Sequence, residues 1–214
     1  MGSENIGIVV GLKAEEKIAR KLGWTIAIGG GRAAGAAAAV QSLVDRGASA
    51  LVSFGLAGGI DPILGPGAIL VPQAVRLDGQ IVACDPVLGA RLGGLTDHVL
   101  LAGDELLDTA DNKRRVWHDL HVHAIDLETG AVARAALAHG LPFAVLRAVC
   151  DPANCSLPPA ARAALDIDGA IGMWRVLHSV LTNPRQIPDL LALARDAATA
   201  RRALVRRVDE LTRG

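Results

Sequence analysis

Six short runs of largely uninterrupted apolar character divide the chain: "IGIVV" (6–10), "TIAI" (25–28), "ALVSF" (50–54), "AILVPQAV" (68–75), "HVLLAG" (98–103) and "FAVLRAVC" (143–150). A strand with one wet face alternates polar and apolar residues, whereas a run that stays apolar suits a strand covered on both sides. Helical patterns lie between the runs. Residues 33–46 are alanine-rich and stop at Gly47; residues 127–139 carry Ala, Val and Leu at helical spacing and stop at Gly140. Glycine just past the last helical residue is a common C-cap, because it accepts left-handed backbone. The pattern predicts an α/β protein with one mixed central β-sheet and helices on both faces, in three layers. A length of 214 residues suits a single domain over 1–214.

Bulk properties narrow the function. Lysine plus arginine equals aspartate plus glutamate, 22 of each, so no basic surplus points to nucleic acid as a partner. The three cysteines, Cys84, Cys150 and Cys155, form neither an even set nor a CxxC pair, which predicts a reducing, cytoplasmic location. The N-terminus does not read as a signal peptide, and no apolar stretch approaches the roughly twenty residues of a spanning helix.

One segment breaks the pattern. Residues 53–72, "SFGLAGGIDPILGPGAILVP", hold five glycines and three prolines among apolar residues. Glycine permits positive φ and close approach to the main chain, and proline fixes turns, so the segment reads as a looped cradle for a ligand.

Ligands of open α/β sheets bind beyond the carboxyl ends of strands, which singles out four places. After the first run, "GLKAEEKIARKL" puts Glu15 and Glu16 in the first turn of a helix, where acids also complement the helix dipole. After the second, "GGGRAAG" fits G-x-G-x-x-A weakly, because the next strand ends in "SFG" instead of a ribose-binding acid. Gly30, Gly31 and Arg32 at that helix start remain a candidate anion site. After a strand expected at 121–125, Asp126 is a good N-cap and Glu128 projects from the first helical turn. His121 and His123 would share a face of that strand near His118, but no further ligand is evident and no metal is expected. After the last run, Asp151 opens "DPANCSLPP": it is either a turn-forming Asp-Pro or a carboxyl group in apolar surroundings fit for general acid work.

From 185 to 214 a helical pattern carries seven arginines against four acids. This is either a solvated face or a basic amphipathic surface for anionic lipid.

Taken together, "IGIVVGLKAEE", "FGLAGGIDPILGPGAILVP", "AGDELL", "IDLETGAVA" and "PFAVLRAVCDPA" follow in an order that resembles the nucleoside phosphorylase and nucleosidase superfamily over nearly the whole chain. The resemblance implies cleavage of an N-glycosidic bond with no cofactor, inorganic phosphate being the co-substrate if the reaction is phosphorolysis. It implies that Glu15 orients an attacking water, that Glu128 beside Leu127 grips the ribose hydroxyls, and that Asp151 protonates the purine at N7. It also implies that Gly55, Leu56, Ala57, Gly58 and Gly59 wrap the nucleoside, and that Leu106, Leu107 and Cys150 border the base. Ser53 and Leu56 stand where the phosphorylases hold phosphate, and an aliphatic Leu56 side chain cannot donate a hydrogen bond, which favours hydrolysis. The stretch 76–97 is shorter than in the methylthioadenosine nucleosidases, opening the ribose 5′ side.

The ending from "LPPAARAALDIDGAIGMW" to "LLALARDA" is similar to the hopanoid-associated phosphorylases, implying a lipid-linked substrate, adenosylhopane, and contact with the inner membrane face. A homodimer is expected from the superfamily. The alternatives are a methylthioadenosine/adenosylhomocysteine nucleosidase, a purine nucleoside phosphorylase and a catalytically silent nucleoside-binding module.

Overall fold

In the computed structural model, which describes residues 5–31, 33–103, 105, 107–161 and 182–213, the apolar runs pair into one sheet. Its strands are β1 (Ile6–Val10), β2 (Thr25–Ile28), β3 (Ala50–Gly59), β4 (Ile69–Leu70), β5 (Pro72–Leu77), β6 (Gln80–Ala83), β7 (Thr96–Ala102), β8 (Ala124–Asp126) and β9 (Phe143–Asp151). One path runs β2-β1-β3-β8-β7-β5-β6, and β9 joins β3 and β4 off that path. β1, β2, β3 and β9 are mutually parallel where they pair, while β8 meets the end of β3 antiparallel, Gly58 opposite Ile125. The described helices are α1 (Lys13–Ala19), α2 (Ala33–Asp45), α3 (Pro86–Arg91), α4 (Ala110–Leu120), α5 (Thr129–His139) and α6 (Ile187–Leu211).

The continuous apolar runs are explained by two separate cores. Successive side chains of a strand point to opposite faces. Val9, Leu51 and Val145 pack with Val40 and Leu43 of α2 and Val132 and Ala136 of α5. Their neighbours Ile8, Val52 and Leu146 pack with Ile18 of α1 and Ala200, Leu204 and Val208 of α6. The sheet is therefore mixed and covered on both faces, as its sequence implies.

Three expectations change. The first part of the glycine-rich segment is the second half of the ten-residue strand β3, with the turns confined to residues 61–67. The 68–75 run becomes two strands parted at Val71, and β5 turns back as a hairpin at Asp78 and Gly79, both at positive φ. The strand expected at 121–125 begins only at Ala124, because His121 ends α4 in left-handed conformation (φ 52°). His121 and His123 thus share no strand face. The His123 Nδ1 accepts the Val99 amide, and its ring lies edge-on to His98 and Trp117. The helical ending forms α6, with one stripe buried against the sheet, Lys21 paired with Asp209 at 2.6 Å, and Arg202 and Arg206 on its exposed side.

Candidate active site

Arg147 interrupts β9 on the face that packs against α2 and α5, and it is 1% exposed. A buried guanidinium needs partners on every side. Its Nη2 donates to Ser53 Oγ (2.6 Å), Thr129 Oγ1 (3.2 Å) and Glu128 Oε2 (3.2 Å), and Nη1 donates to the Leu56 carbonyl (3.3 Å). Nε lies 2.7 Å from Asp126 Oδ2, an ion-pair contact too bent to count as a hydrogen bond. Asp126, expected as the N-cap, instead ends β8; it accepts the Glu128 and Thr129 amides from there, while Glu128 occupies the N-cap position of α5. Burial opposes the Arg147 charge, but Asp126, Glu128 and Glu15 more than restore it and raise its pKa.

Glu15 sits at the third position of α1 and is 4% exposed. Its Oε2 accepts the Gly11 and Leu12 amides, both at 2.9 Å, and its Oε1 accepts the Leu56 amide at 3.0 Å. A carboxylate offers about four lone-pair sites. Three are thus taken by main chain from β3 and the β1–α1 turn, leaving one on Oε1. Glu16, the neighbouring acid, instead pairs with Arg20 in the open.

The glycines of the 53–72 segment make room for these groups. A Cβ on Gly55 would lie 2.6 Å from both Glu15 Oε1 and Arg147 Nη1, and one on Gly58 would crowd Asp151 Oδ1 at 3.2 Å. Gly11 does the same between the acids: a Cβ there would overlap Glu128 Oε1 and stand 3.3 Å from Glu15 Oε2. Close approach inside a strand, rather than a turn, is what the glycine content of β3 serves.

Glu128 is 8% exposed at the head of α5. Burial pushes its carboxyl up to about 7, with Arg147 pulling it down and Asp126 and Glu15 adding repulsion. Asp151 ends β9 and is also 8% exposed. Burial raises its pKa above the usual carboxylate value, against the pull of Lys113, whose Nζ is 2.5 Å from Asp151 Oδ2. The Cys150 thiol is pushed up by burial and by Asp151, which keeps it protonated and unreactive.

Glu15, Glu128 and Asp151 all line one cavity of about 440 Å³, with Leu127, Leu56, Ala57, Gly58, Leu107, Cys150 and Gly31. Gly55 and Gly59 belong to β3 but do not line it, and Arg32 and Leu106 lie outside the described residues. Gly30 and Gly31 form a turn at φ +74° before α2, and only Gly31 reaches the cavity. Ser53 is fully buried on Arg147 and Thr129, and the Leu56 amide is spent on Glu15. Among the described residues no cluster of His, Cys, Asp and Glu suited to a metal is present, and no helix is long and apolar enough to cross a membrane.

Sequence reasoning misses three residues. Arg147 carries a signal, a lone charge inside an apolar run. Lys113 carries none, lying in the polar helix "ADNKRRVWHDL". Arg201 reads as surface, yet it lines the cavity from α6 with Leu193 and Ala197.

The chain resembles known proteins chiefly through its structure. The Phosphorylase superfamily profile matches residues 96–171. No curated protein sequence matches the chain. The fold is that of the nucleoside phosphorylases and nucleosidases, as three solved structures show. Helicobacter pylori 5′-methylthioadenosine/S-adenosylhomocysteine nucleosidase aligns with a TM-score of 0.68 at 17% identity, over 98% of this chain and 100% of that one. Futalosine hydrolase of the same organism aligns with a TM-score of 0.67 at 17% identity, over 96% and 97%. Streptococcus pyogenes S-adenosylhomocysteine nucleosidase aligns with a TM-score of 0.64 at 22% identity, over 86% and 98%.

Proposed function

We propose that the chain is a nucleosidase that releases adenine from a nucleoside by hydrolysis. The observation that carries this reading is the convergence of Glu15, Glu128 and Asp151 on one cavity of ligand size. Water held on the remaining lone pair of Glu15 Oε1 passes a proton to that carboxylate as its oxygen bonds to C1′. The C1′–N9 bond breaks with its electron pair going to the base, and Asp151 supplies the proton that N7 takes up. Glu128 accepts the ribose hydroxyls, and the carboxylates stabilise the cationic sugar of the transition state. Hydrolysis is favoured over phosphorolysis because the amides of Gly11, Leu12 and Leu56 are engaged by Glu15 and Arg147 is neutralised by acids, leaving little to bind phosphate.

The substrate in this reading carries a large apolar 5′ substituent, adenosylhopane or a close relative. Its support is the likeness of the chain's ending to the hopanoid-associated phosphorylases and the leucine-rich wall of the cavity: Leu12, Leu56, Leu107, Leu157 and Leu193. No described residue between Gly58 and Glu105 lines the cavity, consistent with a short cover. Burying apolar area contributes roughly 25 cal/mol per Å². Part of a triterpene tail would project beyond a cavity of this size, so the enzyme would meet its substrate at a membrane surface, with Arg202 and Arg206, both exposed, toward anionic headgroups. A second reading, a methylthioadenosine or adenosylhomocysteine nucleosidase, draws on the names of the structural neighbours.

Adenine release from adenosylhopane in detergent, methylthioadenosine and adenosylhomocysteine, each with and without phosphate, tests all of this. Adenosylhopane is expected to react fastest, with a free ribosyl product and no phosphate dependence. A wide preference for methylthioadenosine overturns the lipid substrate, and a ribose 1-phosphate derivative overturns hydrolysis.

A further inference from the structure

One buried charge beside Asp151 takes no part in the steps above. Lys113 is wholly buried, projecting from α4 toward the end of β9. Its Nζ donates to Asp151 Oδ2 at 2.5 Å, to the Pro152 carbonyl at 3.1 Å and to the Cys155 carbonyl at 3.3 Å. An ammonium has three N–H bonds, and all three are used. A lysine serving only to pack the loop after β9 would be replaced at lower cost by an apolar residue, because a buried ion pair rarely repays its desolvation. The cation is instead fixed against the very carboxyl that must release a proton.

We propose that Lys113 is a positioning residue for departure of the base: it aims Asp151 into the cavity and balances the charge left there when the proton goes. The inference rests on the nucleosidase reading of the site. As the N7–H bond forms, the Asp151 O–H bond breaks and its electron pair stays on the carboxylate. Before transfer the Lys113 ammonium faces a neutral acid; afterwards it faces an anion. An interaction stronger late in the reaction than early in it accelerates the step. The two carbonyl contacts prevent the ammonium from following solvent, so the charge is in place beforehand.

Other groups also bear on Asp151. The Cys150 thiol of β9 donates to Oδ1 at 3.4 Å, and Asp196 of α6 repels from further off. Arg201 of α6, Glu15, Glu105 and Glu128 border the same cavity. A pH profile alone would mix these with Asp151, so a comparison of leaving groups is needed. A nitrophenyl riboside needs no proton on its leaving group, whereas an adenine nucleoside does.

The test measures kcat/KM against pH for both substrates with wild type and K113M. Removing a cation at hydrogen-bond distance raises a carboxyl pKa by about 1–3 units. The alkaline limb seen only with the adenine nucleoside is expected to move up by at least about one pH unit. Its plateau is expected to fall about 3- to 30-fold, the reach of such a change in acid strength under Brønsted behaviour. The nitrophenyl riboside should change less than about 2-fold. In a D151N background, adding K113M should cost no further adenine release. If K113M does not fold, K113Q removes the charge while keeping a donor for the two carbonyls, and it reads the same limb. An unmoved limb, or equal losses for the two substrates, overturns the role of Lys113. A wild type that releases no adenine from any nucleoside instead overturns the nucleosidase reading itself.

Discussion

The Arg147 guanidinium, carried in the middle of a buried strand, stands 3.2 Å from the Glu128 carboxylate, so the group assigned to the ribose is anchored from beneath the cavity floor. The same guanidinium holds Asp126 and Ser53, joining β3, β8, β9 and α5 at one point. Arg147→Met would leave Asp126 and Glu128 buried without their cation. Breaking a buried pair by removing one partner costs about 3–5 kcal/mol. Denaturant unfolding should show a loss of that size, with adenine release falling at temperatures where the variant remains folded.

Glu128→Gln separates stability from activity. The carboxyl has an ordinary value of 4.5 unfolded and is raised to about 7 in the folded chain. Between those values the native state binds more protons, so the stability that this one carboxyl contributes declines as pH rises from about 4.5 and is gone above about 7. A neutral amide escapes that loss. Melting temperatures at pH 5 and pH 8 should show the variant gaining on wild type at the higher pH, while its turnover is lower at both. A pH-independent difference in melting temperature would contradict the raised value.

Asp151→Asn keeps the shape of the side chain and removes the transferable proton. Positioned acid–base groups contribute roughly 10²–10⁴-fold. Turnover of an adenine nucleoside should fall by that range in a variant that still unfolds cooperatively, with Lys113 held by the amide oxygen and its two carbonyls; adenine release near the wild-type rate would reduce Asp151 to a turn residue.

Gly11→Ala places a methyl where the Glu128 Oε1 now sits and within 3.3 Å of Glu15 Oε2. Overpacking of this kind typically costs 1–3 kcal/mol. Activity should suffer far more than stability, by roughly 10²-fold, the price of misplacing a group by an ångström. Comparable kcat/KM for the variant and wild type would show that the two acids do not need their present separation.

Much of the fold is legible in the sequence because burial on both faces leaves β1 with no polar position to blur its outline, and β9 with Arg147 alone ahead of its terminal Asp151. Glu15, Glu128 and Asp151 can be located because each follows a strand end, where topology places ligands. The hairpin of β5 and β6 is harder to see: Ile81 is exposed, and polar edge strands lack the apolar signature. The glycines of β3 mislead for a related reason. Glycine reports that something lies close to the backbone, but not whether that is a turn, a ligand or, as at Gly55, two charged side chains from distant segments. Lys113 is hidden altogether, since its partner is 38 positions away and it opens a run of three basic residues in a polar helix.

Glu15 draws its three hydrogen bonds from the amides of Gly11, Leu12 and Leu56, of which the last belongs to the central strand. Sites assembled on loops open and close many times for each global unfolding event. Here the amide of Leu56 is held by the carboxylate itself, in a strand that pairs with β9 at the same position. Its proton should exchange with solvent on the slow timescale of the whole chain coming apart. The Glu15 end of the candidate site is, in that sense, part of the protein's bedrock: it keeps its shape for as long as the chain stays folded.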